Sequence, residues 1–588
     1  MRISGVLTFA LLIGLGSGLS GQTTSTTFTP VGPQQPGQPT PGQPSRTPAR
    51  PLRPGETPPK GTAVIRGYVL AAGTGAPIRR AQVRAMAMNG GGGGVTSTDA
   101  EGRYEIKDLP AGRYSISATK SGYVTGQYGQ RRPTEPGTPI EIADGMAADK
   151  LNFTLARGGV IAGHILDDNG EPIAGVQVAA MRYGFQGGAR RLIGSGSEGG
   201  NDRTDDQGGF RLFGLTPGDY YVSASYRGMM MGPEINNTQA DGFAATYFPG
   251  TPNVSEAQRV SPKAGQEISG ITFSLLVTRL ARVSGRAVNS RGEPAARANV
   301  MLVPAEAVGG MMMLAGSGMA SPDGSFQIPN VAPGRYMLNL RPMGMATAAD
   351  EFASLPITVG SENIENVMLS TSVGATARGV VVTDTGEAPS FRPDQVQIFA
   401  STPEPMMMSS GNSGPTRVNE DFSFEMTSLF DRRMIRASVM GATGWYVKEI
   451  RFDGQDITDE GFEFAPGRHL EGLQVVFTQK TTDLSGLVTD SGGKPVLDAS
   501  VVIFPATRDK WKFQSRYVRT ARPDTQGRYN IKSLPPGEDY LIIAVQNLEN
   551  GQGGDPEFLG RAKEEAKPFT LNDGETKAVD IKLSALIP

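Results

Sequence analysis

Five times along the chain, at intervals of roughly 100 residues and completely in four of them, the sequence runs through nearly the same series: a Gly-bearing strand, a Gly-x-Pro turn, a second strand, an Asp-x-x-Gly turn and a Pro-Gly turn followed by Tyr. The first unit reads VIRGYV from Val64, GAPI from Gly75, TDAEGRY from Thr98 and LPAGRY from Leu109. The second has VIAGHI from Val160, GEPIAGVQV from Gly170, TDDQGGF from Thr204 and LTPGDY from Leu215. The third has RVSGRAV from Arg282, GEPAARANV from Gly292, SPDGSF from Ser321 and VAPGRY from Val331. The fifth has LSGLV from Leu484, GGKPV from Gly492, PDTQGRY from Pro523 and LPPGEDY from Leu534. The fourth, with ARGVVV from Ala377 and DFSFEM from Asp421, has lost the proline turn and reads SLFDRRM instead. A unit this long exceeds one turn of a solenoid and suits an independent domain.

Within each unit the periodicity is that of strands: Tyr104-Glu105-Ile106, Tyr529-Asn530-Ile531 and the closing Leu151-Asn152-Phe153-Thr154-Leu155 alternate apolar with polar residues. Long helical patterns are nearly absent. The fold class this predicts is all-β, a tandem array of about five antiparallel seven-stranded β-sandwiches. The expected boundaries are 62–156, 157–278, 279–371, 372–479 (the divergent unit) and 480–588. The linkers are short, which predicts a stiff rod of beads with little hinge freedom.

These motifs, in this order and spacing, resemble the carboxypeptidase regulatory-like domain, a transthyretin-like, Ig-like sandwich also grouped with carbohydrate-binding-like folds. The resemblance covers Thr62 to Leu583 and is poorest from Ser372 to Gln479. It implies a non-catalytic accessory module of exported and surface proteins. Carbohydrate is the first ligand class it suggests; a structural spacer or protein-interaction module of an envelope assembly is the alternative.

The termini and composition set further limits. Arg2, the apolar stretch Ile3 to Leu19 and the small residues Gly18 to Gly21 read as a cleaved export signal over 1–21. The Thr- and Pro-rich stretch 22–61 reads as an extended, solvated spacer. Localisation is therefore expected to be periplasmic, cell-surface or secreted, with no membrane insertion after cleavage. A formal charge of −2 gives no overall electrostatic reason for a nucleic-acid partner. The chain has no cysteine, so packed cores rather than disulfides or thiolate metal sites must hold it together.

Catalysis has little support. The two histidines, His164 and His469, lie in different units and begin no zinc motif. Gly194-Ser195-Gly196 matches a nucleophile elbow only loosely, and no spacing singles out a carboxylate pair. No enzyme, cofactor or metal is expected. Asp167-Asp168-Asn169-Gly170-Glu171 and Asp205-Asp206 gather oxygens without completing a calcium loop, so the Asp turns are read as self-sufficient. Tyr114, Tyr220, Tyr336 and Tyr540 are read as half-buried corner residues whose hydroxyls bond backbone. The first strands carry Arg66, His164 and Arg286 rather than lysine, which disfavours an internal isopeptide bond.

One slot varies between units: the connection between the second strand and the Asp-x-x-Gly turn. In the fifth unit it reads RDKWKFQSRYV from Arg508, interleaving Trp511, Phe513 and Tyr517 with Lys510, Lys512 and Arg516. Alternation puts Trp511 and Phe513 on one face, where their rings could stack on a sugar or peptide. The competing reading packs one of these rings into the unit's own core, with the cations on a solvated face. Trp445 and Tyr446 in the fourth unit pose the same question. Met229 to Met231, Met311 to Met313 and Met406 to Met408 lack the partners copper needs and read as adaptable apolar contacts or as residues without a specific role. The partner, glycan or envelope protein, and the oligomeric state stay open.

Overall fold

The computed structural model describes residues 61–88, 92–130, 132–133, 135, 137–197, 199–226, 241–305, 315–341, 351–403, 414–440, 442, 444–512, 514–524 and 526–588. The export signal, nearly all of the spacer, Phe513 and the three methionine triplets lie outside these residues. The fold is nearly all β, with one short α-helix, Pro556–Ala562, among the described residues. No described helix is long and apolar enough to cross a membrane.

Each repeat forms two facing sheets. In the first, strand Ala63–Ala71 pairs antiparallel with Arg103–Leu109 and in parallel with Ala147–Ala148 and Phe153–Leu155. The opposite sheet runs Gly93–Ser97, Gln82–Ala87, Gly112–Thr119, Gly126–Gln127. The same plan recurs: the opening strands Gly159–Leu166, Ala281–Val288, Ala375–Thr383 and Asp483–Thr489 each lie between the strand after the Asp turn and the closing strand. The parallel pairing of opening and closing strands brings the two ends of each repeat together and is not visible in strand periodicity, which is the same for either direction.

The Gly of the opening strand follows from that pairing. A Cβ at Gly67, Gly163, Gly285, Gly379 or Gly486 would overlap the carbonyl oxygen of Leu151, Ile271, Val367, Leu473 or Val579 in the closing strand. Only a residue without a side chain permits that approach. The Asp turns are equally explicit. Asp99 accepts from the Glu101 and Arg103 N–H groups at 3.0 and 2.7 Å, and Asp524 from Gln526 and Arg528 at 2.8 and 2.9 Å. The turn glycines Gly102, Gly208, Gly324 and Gly527 have φ between 73° and 82°. In the fourth repeat Phe422 holds that left-handed position at φ 63°, where a side chain is disfavoured.

The tyrosines of the Pro-Gly turns close the other end. The hydroxyls of Tyr114, Tyr220, Tyr336 and Tyr540 donate to the carbonyls of Pro110, Thr216, Ala332 and Pro535 at 2.7–2.8 Å. Their rings are buried rather than half-buried, because each also fills its repeat's core.

Six apolar clusters form among the described residues, and each is drawn from a single repeat. The fifth repeat has two. One lies between its sheets, and the second covers the outer face of strands Ser500–Pro505 and Asp539–Val545 with Trp511, Leu548, Phe558, Leu559 and Ala562. The fourth repeat departs from the plan. Its strand Tyr446–Phe452 and the short Gln455–Asp456 join the sheet of the opening strand, which grows to five strands while the other keeps three.

The repeats are joined by short connections. Three residues separate Leu155 from Gly159, one separates Arg279 from Ala281, one separates Val373 from Ala375, and four separate Thr478 from Asp483. Yet the fifth repeat meets the first, the second and the fourth. Arg522 pairs with Glu135 at 2.9 Å and Asp498 with Arg132 at 3.8 Å. Gly551 and the turn Gln552–Gly554 lie against Phe185 and strand Ala189–Gly194 of the second repeat. Short linkers fix neighbours, but contacts between repeats distant in sequence are made by loops whose targets the sequence does not name.

Candidate functional site

The variable slot of the fifth repeat builds an interface with the fourth. The 3₁₀ turn Arg508–Lys510 delivers Trp511 inward, where it is 6% exposed. Its Nε1 donates to the Pro505 carbonyl at 2.7 Å, and its ring meets Phe504 edge-on at 5.6 Å. A buried indole that has satisfied its one donor on its own backbone is a core residue. The structure sets the Trp511 ring in the second apolar cluster of its own repeat. Of its proposed companions, Phe513 lies outside the described residues. Tyr517 is half-buried against the inter-sheet core, with the Lys510 ammonium 4.6 Å and the Arg516 guanidinium 5.4 Å from its ring centroid. Burial pushes the Tyr517 hydroxyl's pKa up.

The cations of the slot, expected on a solvated face, are engaged. Arg516 donates through its backbone N–H and Nε to the two carboxylate oxygens of Asp459 at 2.8 and 2.6 Å. Its remaining nitrogens reach Asp456 and the Lys448 carbonyl. The Arg516 and Asp459 side chains are 15% and 11% exposed, so the pair is largely withdrawn from water. Lys512 pairs with Glu460 at 2.9 Å, and Lys510 with Glu538 of its own repeat. On the fourth-repeat side Arg436 donates to the Thr458 carbonyl at 2.9 Å and to the Gln514 carbonyl at 3.3 Å. Asp456 accepts from the Thr458 N–H and hydroxyl at 3.0 and 2.5 Å, which holds its carboxylate in place for Arg516.

Electrostatics follow from this packing. Burial alone would lower the pKa of Arg516, but Asp459 and Asp456 hold it above its ordinary value. Arg436 and Arg519, buried close by, are lowered by desolvation. The hydrogen bond from Lys512 holds Glu460 below the usual carboxylate range. Several guanidiniums share few carboxylates, an arrangement suited to gripping a loop and not to proton transfer.

Trp445 and Tyr446 lie just ahead of Lys448, whose carbonyl Arg516 reaches. Trp445 is half-buried, edge-on to Phe391 at 5.1 Å, with Nε1 bonded to the Ser390 hydroxyl at 3.2 Å. Tyr446 opens the strand that pairs with His469–Thr478. An open groove of about 380 Å³ on the fourth repeat is lined by Arg378, Glu425 and Glu471, and Arg378 pairs with both carboxylates across the sheet. No group of three or more His, Asp or Glu placed to hold a metal ion occurs among the described residues. Asp167 and Asp205 accept from their own turns, Asp167 from Asn169 and Glu171 and Asp205 from Gln207 and Gly209.

Sequence reasoning marked Lys512 and Arg516 but missed their targets Asp456, Asp459 and Glu460. The signal available was the acid-rich stretch GQDITDEGFEF from Gly454, placed in the one repeat whose motifs diverge.

Comparison with known proteins gives the domain type. Residues 64–156 and 483–584 match the Carboxypeptidase regulatory-like domain, so the chain carries repeats of this kind at both ends of its array. No curated protein matches the chain in sequence. Among solved structures, a Streptococcal ancillary pilin is 14% identical over 53% of this chain and 98% of its own, with a TM-score of 0.21. The minor pilin of Streptococcus agalactiae is 13% identical over 36% and 95%, with a TM-score of 0.19. The major pilin subunit of Bacillus cereus is 10% identical over 53% and 99%, with a TM-score of 0.14. Scores this low carry no functional meaning.

Proposed function

We propose that this chain is a non-catalytic, exported scaffold whose variable loops serve protein contacts, first of all contacts between its own repeats. The observation that carries this reading is Arg516 on Asp459 and Asp456: the slot richest in rings and cations is engaged by the neighbouring repeat instead of being displayed to solvent. Supporting it are the regulatory-like domain matches and the confinement of each apolar cluster to one repeat, which leaves the array's outer faces for partners. The division into five folding units and the envelope or cell-surface location belong to the same proposal. Carbohydrate binding is the rival, and its ring platform would have to be rebuilt from Trp445 and Tyr446. The test is cross-linking of the intact chain in its native envelope fraction, together with a glycan array. A specific protein partner with a blank array supports the scaffold; glycan binding that Trp445→Ala abolishes replaces it with a lectin-like function.

A further inference from the structure

We infer that the fifth repeat is a latched module, held closed on the first and fourth repeats by ion pairs and free to swing away when those pairs are broken. Apolar packing between the fifth repeat and the others is absent from the clusters among the described residues, each of which stays within one repeat. The junction of the third and fourth repeats is different in kind, since Phe352 and Phe430, both buried, meet there at 5.5 Å between ring centroids. That joint is fixed by apolar contact that salt and charge do not weaken. The fifth repeat instead closes through Arg516 with Asp459 and Asp456, Lys512 with Glu460, Arg522 with Glu135 and Arg132 with Asp498. Its contact with the second repeat brings Gly551 and the turn Gln552–Gly554 against Phe185 and strand Ala189–Gly194.

Two of these pairs set the strength of the latch. Glu135 is 5% exposed and Arg516 15% exposed, so loss of either partner strands the other in a poorly hydrated seat. Lys512–Glu460 and Arg132–Asp498 are open to water and contribute little once salt screens them. The linker allows the motion, because the four residues between Thr478 and Asp483 are the longest connection between strands of successive repeats. Polar interfaces between domains of one chain permit relative movement unless large and hydrophobic. The fifth repeat's own fold does not depend on the seat, since both of its apolar clusters are internal.

The absence of cysteine makes the test direct. Dyes on Ser97→Cys in the first repeat and Lys494→Cys in the fifth, both exposed positions, report their separation in the full chain by single-molecule energy transfer. The wild type should give one high-transfer population. Arg516→Glu combined with Arg522→Glu should raise the low-transfer fraction at least about tenfold, as expected when buried charges lose their partners. Restoring complementarity with Asp459→Arg and Glu135→Arg in the same chain should return the high-transfer state. An unchanged distribution in the double variant overturns the latch. So does loss of the buried emission of Trp511, recorded in a Trp445→Phe background, because that would make Arg516 part of the fifth repeat's own fold.

Discussion

Replacing Trp511 with alanine separates the two readings of this residue most sharply. The ring is 6% exposed, packs on Phe504 and belongs to the cluster that seats helix Pro556–Ala562 on the sheet. Truncating a buried large aromatic costs about 3–5 kcal/mol. The lost bond to Pro505 lies within that range, since the freed carbonyl is adjacent to the cavity and can be rehydrated. For a domain of about 100 residues each kcal/mol shifts melting by about 4–8 °C, so the fifth repeat's transition should fall by more than about 10 °C. Differential scanning calorimetry of the full chain is the assay, because the other repeats supply internal reference transitions. Trp511→Phe, which keeps most of the ring and loses the donor, should fall by clearly less. If Trp511→Ala leaves every transition in place, the burial argument is wrong and the ring is available to a ligand after all.

The remaining expectations concern the motifs. Gly486→Ala should destabilise the fifth repeat by about 1–3 kcal/mol or more through overlap with the Val579 carbonyl, read as a fall in denaturation midpoint; an unaffected midpoint would mean the strands can part without cost. Tyr540→Phe should cost about 1 kcal/mol for the lost bond to Pro535, measured by the same titration. Backbone N–H groups of Arg528 and Gln526 hold Asp524 below its usual 3.8, so its contribution is present above that pH and is lost as pH falls through the lower folded value. Asp524→Asn should accordingly flatten the acid limb of the melting profile, and an unchanged limb would refute the assignment. A fragment from Asp483 to Ser584 should fold alone with one cooperative transition by circular dichroism, since its clusters are internal.

What the sequence made legible was whatever a repeat does within itself. The Asp turns, the tyrosine hydroxyls and the opening-strand glycines recur because each solves a local problem of backbone geometry, and local problems leave fixed spacings. Trp511 was ambiguous for a physical reason. In the second sheet of the fifth repeat both faces are apolar, with Val502 and Phe504 outward and Val501 and Ile503 inward, so alternation could not say which side was wet. The helix that covers the outer face lies between strands Asp539–Val545 and Lys567–Thr570 and carries too few residues to announce itself by periodicity.

Contacts between repeats leave a different trace. Arg516 and Asp459 are 57 positions apart, and neither lies in a motif that repeats. Such a pair can be recognised only from the exceptions: the fourth repeat alone loses its proline turn and moves a two-strand hairpin into the sheet of its opening strand, and the end of that hairpin and the turn after it carry the carboxylates. Where four repeats agree, the residues answer to the sandwich; where one departs, the departure answers to a neighbour. Arg522 and Glu135, which meet each other across repeats, belong to the closure of the array and not to the stability of either sandwich, so Glu135→Gln should leave the melting of the first repeat nearly unchanged while loosening the fifth.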